Sequence, residues 1–371
     1  MKKRVKINIF RVLSAIEDKN FEAFVVGGYT RDQLLIDGDS GDVDIATNAP
    51  KKVLLKLFKD YSPKEYKYDS LKFRLGKYRF EICHYRKEEY VNGKLNVIFT
   101  DDVQEDFQRR DFKINSIYMN KNGKYFYTPK TKNDLDNKIL SFVGDAETRL
   151  EEDPVRILRY IYVAVKCDLG FNINEIIRLK LVSYKYASMC TSEQIQKYLH
   201  LIDKLDNFKK FTLVVRDLHL HYFFFNHDMI ADFTYEYAYY VMNDFKFTKF
   251  LPKNKQKIIE NIKEILECRT INNLTLYLYS LEENINAAVC MHMTKESVME
   301  IYNNMPIHSK KDVAINPKKI AELINSPIDE KVKKIYNRII LLILKNKMPN
   351  NYDIISDFII RSDKIDNRQH F

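Results

Sequence analysis

Residues 24–48 read FVVGGYTRDQLLIDGDSGDVDIATN, and the fold of the N-terminal part follows from how this stretch alternates. Phe24, Val25 and Val26 are β-prone and apolar, as a buried strand requires. Gly27-Gly28 ends that strand, and two glycines let the backbone turn tightly and approach a ligand closely. Thr30 to Ile36 has helical character, with its first N–H groups beside the turn, a place that favours anions and phosphate in particular. Arg31 lies in the first helical turn, where its fork of donors suits a phosphate oxygen. Gly41-Asp42-Val43-Asp44-Ile45 then reads as a second strand. Residues i and i+2 of a strand face one side, so Asp42 and Asp44 point together while Val43 and Ile45 point into the core. Two adjacent carboxylates repel unless a cation sits between them. Hard oxygen ligands one strand step apart suit Mg²⁺, which also bridges phosphate oxygens. A Gly-Gly alone is usually a turn and an Asp-x-Asp alone a solvated edge; in this order, about fifteen residues apart, they are far more specific.

The chain around this stretch has 371 residues, enough for two or more domains with sizeable cores. At 45% apolar and 30% charged it has the composition of a globular protein. No run of about eighteen apolar residues occurs, which argues against a membrane span. A net charge of +10 favours a polyanionic partner such as nucleic acid, although a lysine-rich bias would also produce it. Cys83, Cys167, Cys190, Cys268 and Cys290 are scattered and form no C-x-x-C pair, which argues against a zinc site or disulfide framework and fits a reducing cytosol. The opening MKKRVKINIFRVL is basic, but its apolar positions are too mixed for a signal peptide, so an amphipathic helix is expected.

Further along, residues 51–60 look helical and residues 67–86 alternate as strands around Phe73, Leu75, Tyr78, Phe80 and Ile82. Residues 87–99 (KEEYVNGKLNVIF) read as a polar loop with a glycine, followed by a short apolar run. In 105–117 (EDFQRRDFKINSI), Arg109 and Arg110 followed by Asp111 and an apolar face form a plausible anion clamp held by an ion pair. Residues 116–127 carry Asn122-Gly123 at a hairpin turn, and residues 139–143 form a last strand. In 144–159 (GDAETRLEEDPVRILR), Asp153, Arg156 and Arg159 are spaced to share a helix face. The bland reading is a salt bridge; the sharper one is a carboxylate and a guanidinium presenting acceptors and donors to a base edge. Everything after Asp153 reads as helices, with an N-capped start at Thr191-Ser192-Glu193-Gln194. Residues 206–250 are rich in Phe and Tyr, as buried helices would be. Residues 253–267 and 317–349 are lysine-bearing helices that offer either a solvated or an RNA-facing surface. His227-Asp228 invites a metal-phosphohydrolase reading, but the further His and Asp partners it needs are not found. From Ser362 onward the chain is polar and is expected to fray.

These blocks, in this order, resemble the signature of the class II tRNA nucleotidyltransferase and poly(A) polymerase family over roughly residues 20–200. The 105–117 block resembles E-D-x-x-R-R-D-[FL]-T-I-N-A, with Lys113 for threonine. The 144–159 block resembles G-D-P-x-x-R-[FL]-x-E-D-[PA]-x-R-x-L-R, with Ala146 for proline. Tyr162 stands where a further arginine is usual, and Gln194 replaces the arginine of an S-x-E-R-I block. In the 87–99 segment Tyr90 is present, but Asn92 and Lys94 replace the usual Asp and Arg, and a proline is missing.

The resemblance implies an α+β fold: a polymerase-β-like nucleotidyltransferase head with a mixed sheet (1–143), a helical neck carrying the nucleotide-selecting motif (144–205), and a helical tRNA-binding body and tail (206–371). It implies that Asp42 and Asp44 hold Mg²⁺ and that Glu81 is a third catalytic carboxylate. It further implies that Gly27, Gly28, Arg31 and Arg110 contact the nucleotide phosphates, and that Asp153, Arg156 and Arg159 select CTP and ATP. Arg109 and Asp111 would support the turn. The implied activity is template-independent addition of CCA to the 3′ end of tRNA, in the cytoplasm, by a monomer or homodimer with no membrane association. The changed 87–99 segment keeps a CC-adding or A-adding partial enzyme open. Poly(A) polymerase shares the motifs, and a non-catalytic RNA-binding relative is opposed by the intact Asp42 and Asp44.

Overall fold

The computed structural model describes residues 5–91, 94–228 and 234–366. The chain divides into two compact units, Met1–Phe224 and Phe225–Phe371. Residues 144–205, expected as a neck, fall in the first unit, together with residues 206–224.

The first unit is built on a seven-stranded mixed sheet. Its strands are β1 (Ala23–Val26), β2 (Asp42–Thr47), β3 (Lys64–Glu65), β4 (Leu71–Leu75), β5 (Tyr78–His84), β8 (Tyr118–Met119) and β9 (Tyr125–Phe126), in the order β3-β4-β5-β2-β1-β8-β9. Only β2 and β5 run parallel, with Asp42 opposite Arg79 and Asp44 opposite Glu81. Helices α1 (Ile7–Glu17) and α3 (Lys51–Leu57) cover one face, where Ile9, Val12, Leu13 and Ile16 pack on Val25, Val43, Ile45, Phe80 and Ile82. The period of α1 explains this: its apolar residues recur at three- and four-residue spacing and so form one stripe. The opposite face carries the even-numbered residues of β2 and is left for the site.

Helix α2 (Gly28–Leu35) follows β1 as the glycine pair predicts, and α4 (Val103–Gln108) lies between the strands and the Arg109-Arg110 pair. Residues 86–99 are not a loop. They form an antiparallel hairpin of β6 (Arg86–Val91) and β7 (Lys94–Phe99), with Arg86 opposite Phe99 and Tyr90 opposite Leu95. The polar-loop expectation is corrected on a physical ground: Asn92-Gly93 between two alternating runs is a strong hairpin-turn signal. Asn92 itself lies outside the described residues. After α5 (Pro129–Asp136), the expected last strand is only β10 (Ile139–Leu140). It leaves the main sheet and pairs in parallel with β11 (Gly170–Phe171), so the stretch after Asp153 is not wholly helical.

The rest of the first unit is helical: α6 (Ala146–Glu152), α7 (Arg156–Lys166), α8 (Ile173–Ser188), α9 (Ser192–Asp203), α10 (Phe208–Asp217) and α11 (His221–Phe224). Helix α9 starts as read, with Thr191 and Gln194 closing a capping box. The second unit comprises α12 (Glu236–Met242), α13 (Lys253–Glu267), α14 (Asn273–Leu278), α15 (Leu281–Cys290), α16 (Lys295–Asn303), α17 (Pro317–Leu323), α18 (Glu330–Leu344) and α19 (Tyr352–Asp366). Its core gathers Ile262 and Ile265 from α13, Ala287 and Ala288 from α15, and Ile339 and Ile343 from α18. Helix α19 continues to Asp366, so residues 362–366 are helical rather than frayed. Among the described residues no helix is long and apolar enough to cross a membrane.

Candidate active site

Gly27 turns the chain out of β1 at φ +80°, a conformation that L side chains rarely adopt. The turn is held by Thr30, whose hydroxyl bonds to the carbonyls of Gly27 at 3.0 Å and Ile117 at 2.9 Å. A Cβ on Gly27 would lie 3.0 Å from Oδ2 of Asp44, so the glycine backs directly onto that carboxylate. Arg31 is turned inward. It is buried, with Nε and Nη2 on Asp32 (2.8 and 2.6 Å) and Nη1 on Asn115 Oδ1 (2.8 Å). The structure therefore makes Arg31 a brace for the glycine helix, rather than a donor aimed outward at a phosphate. Lys166 of α7 completes the brace with a bond of 2.7 Å to Asp32.

Asp42 and Asp44 project together from β2 while Val43 and Ile45 are buried, as read. Glu81 stands beside Asp44 on β5. The three are not equivalent. Arg79 holds Asp42 through two bonds of 2.6 and 2.9 Å. Lys72 pairs with Glu81 at 2.8 Å. Asp44 opens to the cleft, yet the protein packed around its base displaces part of its water; this, with the nearby charges of Glu81 and Asp42, pushes its carboxyl up to about 6 against the pull of Arg110 and Lys72. Among the described residues no three acidic, histidine or cysteine side chains enclose a metal position by themselves. Hard, mutually repelling oxygens on one open face nevertheless fit a divalent ion whose remaining ligands come from phosphate and water.

The arginine pair is organised by a residue that the sequence reading passed over. Asp106 is fully buried and accepts from Arg109 Nε at 2.7 Å, Arg110 Nη2 at 2.8 Å and the Tyr118 hydroxyl at 2.6 Å. Burial alone would raise its pKa; the Arg110 and Arg109 charges overcome this and hold it well below the usual carboxylate range. The ion pair of the clamp is therefore made upstream with Asp106 and not with Asp111. Asp111 instead accepts from Arg159 Nη1 at 2.8 Å and Asn115 Nδ2 at 2.9 Å.

Asp153 and Arg156 do not share a helix. Asp153 is the extended residue that ends α6, with φ −150° and ψ 95°, and α7 begins at Arg156. Pro154 is the reason, since a residue before proline is pushed out of the helical region. Asp153 Oδ1 accepts from the Val155 backbone N–H at 3.2 Å. Arg156 is buried on Glu152 Oε2 and the Arg149 carbonyl, each at 2.6 Å. Arg149 bonds in turn to the backbone carbonyls of Arg109 and Arg110, the latter at 2.7 Å. The hairpin reaches the same place: Glu88 pairs with Arg109 at 3.4 Å, and Tyr90 lies where the charges of Arg156, Asp153 and Glu152 act on it.

Asp44, Glu81, Arg109, Arg110 and Arg159 line one cavity of about 600 Å³. Asp42, Asp44 and Glu81 line an adjoining one of about 750 Å³. The structure thus brings together the carboxylates, Arg110 and Arg159. It backs Gly27 onto Asp44, and leaves Gly27, Gly28, Arg31, Asp153 and Arg156 outside the linings of both cavities. Asp106, Arg149 and Glu88 were missed. The signal for Asp106 was its place three and four residues before the arginines.

Residues 23–141 match the model of a poly A polymerase head domain, and residues 228–359 match that of a putative tRNA nucleotidyltransferase domain 2. The CCA-adding enzyme of Staphylococcus haemolyticus is 26% identical, over 95% of this chain and 97% of its own length. That of Oceanobacillus iheyensis is 35% identical over 44% of this chain and 41% of its own. Among solved structures, Thermotoga maritima CCA-adding enzyme complexed with tRNA superposes with a TM-score of 0.67 at 18% identity, covering 97% of each chain. The Bacillus stearothermophilus CCA-adding enzyme in complex with CTP gives 0.65 at 17% identity, covering 97% of this chain and 98% of that one. The chain thus carries a poly A polymerase head domain at residues 23–141 and a match to tRNA nucleotidyltransferase domain 2 at residues 228–359, and it is similar to CCA-adding enzymes along nearly its whole length.

Proposed function

We propose that this protein is a nucleotidyltransferase that adds CCA to the 3′ end of tRNA from CTP and ATP, without a nucleic-acid template, releasing pyrophosphate. One observation carries the reading: Asp44 and Glu81 share a cavity with Arg109, Arg110 and Arg159, so metal-binding oxygens and phosphate-binding guanidiniums face one space. Relatives aligned along nearly the whole chain support it.

In this reading residues 1–143 are the catalytic head, residues 144–205 the neck, and residues 206–371 bind tRNA. Asp42 and Asp44 hold Mg²⁺, with Glu81 as the third carboxylate. When bound, the ion lowers the pKa of the RNA 3′-hydroxyl and screens the triphosphate. Arg110 holds the triphosphate, fixed by Asp106 and Tyr118 so that its charge costs little reorganisation as negative charge grows on the leaving pyrophosphate. Gly27 and Gly28 let the backbone come close to the nucleotide, and Arg31 fixes their turn. Asp153 offers an acceptor and Arg156 donors to a base edge, and Arg159 steadies them from Asp111. The 3′ oxygen attacks the α-phosphorus and the bond to the β-phosphate oxygen breaks. Five free cysteines fit a reducing cytoplasm.

One observation favours a second reading. The hairpin at residues 86–99 is pinned to Arg109 by Glu88 and sets Tyr90 within the field of the Asp153 and Arg156 charges, yet its sequence departs from the family pattern. A CC-adding enzyme would follow if that departure blocks the step to ATP. The test is an extension assay with tRNA lacking its 3′ end, Mg²⁺ and CTP, ATP or both, resolved at single-nucleotide steps. Three additions and a stop support CCA addition. A stop after two, with ATP ignored, supports CC addition. A long ladder with ATP alone means poly(A) synthesis, and no extension with tRNA still bound means a non-catalytic RNA binder.

A further inference from the structure

The sheet face that carries the carboxylates continues past them toward its β3 edge, and its charges there change sign in order. Pairing register puts cross-strand partners on one face. One row runs Asp44 (β2), Glu81 (β5), Lys72 (β4), Lys64 (β3); the next runs Asp42, Arg79, Arg74. Each row goes from acidic to basic, and each ends on two cations directly opposite one another, Lys64 against Lys72 and Arg74 against Arg79. Like charges so placed are destabilising. Lys72 and Arg79 are partly compensated by Glu81 and Asp42; among the described residues neither Lys64 nor Arg74 pairs with an acidic side chain. All four cations line the cavity of about 750 Å³, together with Tyr61 and Tyr66, which are 40% and 52% exposed. The Lys72 ammonium sits 4.6 Å above the Tyr66 ring.

Tyr61 is itself stacked on Phe73, with ring centroids 5.5 Å apart, so each ring is partly covered and partly exposed. A repelling row of cations beside partly exposed rings is the combination that single-stranded nucleic acid rewards, with phosphates on the charges and bases on the rings. The nucleotide reading accounts for the other cavity, on the Arg109 and Arg110 side. The two meet at Asp44, Glu81, Lys72 and Tyr66, which is where a second reactant must arrive. Three inter-strand steps separate Asp44 from Lys64, roughly 14 Å, longer than a single nucleotide needs.

We propose that this ring-lined basic cleft of β3, β4 and β5 seats the 3′-terminal single strand of the RNA substrate. Lys64 and Arg74 hold backbone phosphates, Tyr61 and Tyr66 stack bases, and Arg79 turns from Asp42 to a phosphate once that carboxylate is needed for a metal. The proposal rests on the nucleotidyl-transfer reading for its substrate class, but its test does not need turnover. The full-length protein would be irradiated with a tRNA lacking CCA whose last nucleotide is 4-thiouridine, without nucleotide or metal, and the adduct mapped by mass spectrometry. Adducts at Tyr61 or Tyr66, lost in Lys64→Glu/Arg74→Glu, are expected. The same double variant should raise the KM for tRNA at least tenfold and leave the KM for CTP within twofold, with a melting temperature at or above that of wild type, as relief of the two like-charge pairs requires, showing that it folds. Adducts only among Tyr68, Arg109, Arg110 and Arg159, or a rise in KM for CTP instead of tRNA, would overturn the assignment. If wild type gives the adduct at Tyr66 but extends no RNA, the cleft assignment stands and the activity reading falls. If it extends RNA without any adduct between residues 61 and 80, the reverse holds.

Discussion

Tyr118 gives its hydroxyl proton to Oδ2 of Asp106 across 2.6 Å, and the two together close around the guanidinium of Arg110, whose Nε donates to the same hydroxyl at 2.9 Å. Tyr118→Phe keeps the ring under the guanidinium and deletes only the bridge. It should cost about 1–3 kcal/mol in urea unfolding and raise the KM for CTP several-fold with little change in KM for tRNA. An equal rise in both would mean that Tyr118 does not position Arg110.

Gly27→Ala places a methyl group at φ +80°, 3.0 Å from Oδ2 of Asp44. The backbone strain is about 1–3 kcal/mol, and the carboxylate must shift. Extension should fall on the order of a hundredfold or more, because small misplacements of reacting groups are costly, while tRNA binding by gel shift persists. Activity within threefold of wild type would show that the turn does not set Asp44.

Asp153→Ala removes an acceptor from the helix break. Nucleotide choice should weaken by roughly ten- to a hundredfold, the size of one lost hydrogen-bonding contact to a base. Misincorporation of GTP or UTP in the extension assay checks it. RNA affinity should be unchanged, and an unaltered nucleotide preference would remove Asp153 from the selecting role.

Glu175, in the first turn of α8, accepts from the Phe142 backbone N–H at 3.1 Å and is pushed up to about 7 by burial, the Phe142 bond and Lys113 opposing. Between 4.5, its ordinary value, and about 7 the folded chain therefore holds more protons than the unfolded one. Stability falls as pH rises through that window. Glu175→Gln keeps an acceptor for Phe142 and cannot ionise, so it should gain on wild type from about pH 5 to pH 8 in urea melts. A constant difference across that range would rule out ionisation as the cause.

Period-two reading was enough for Asp42 and Asp44, because buried Val43 and Ile45 leave only one way to orient β2, and the glycine turn marked where α2 starts. The Thr191 capping box was equally legible, being made from residues four positions long. What failed was non-local or hidden in a familiar pattern. Asp153 and Arg156 sit at helical spacing, but Pro154 breaks the helix between them. Asp106 looks like a surface salt-bridge residue until α4 turns it inward. Arg31 has the right place in the chain for a phosphate, and only its distant partner Asn115 shows that the side chain points the other way. The hairpin at 86–99 was written in Asn92-Gly93 and masked by its polar composition.

Arg149 ties its guanidinium to the backbone carbonyls of Arg109 and Arg110 while sharing Glu152 with Arg156. One side chain thereby fastens the part proposed to recognise a base to the part proposed to hold its charge. Such a linkage ties the register of the two parts together: neither can be displaced alone without breaking a bond to the Arg149 guanidinium. Base recognition and phosphate holding would then share one stability cost, and a substitution at Arg149 would be felt at both ends at once.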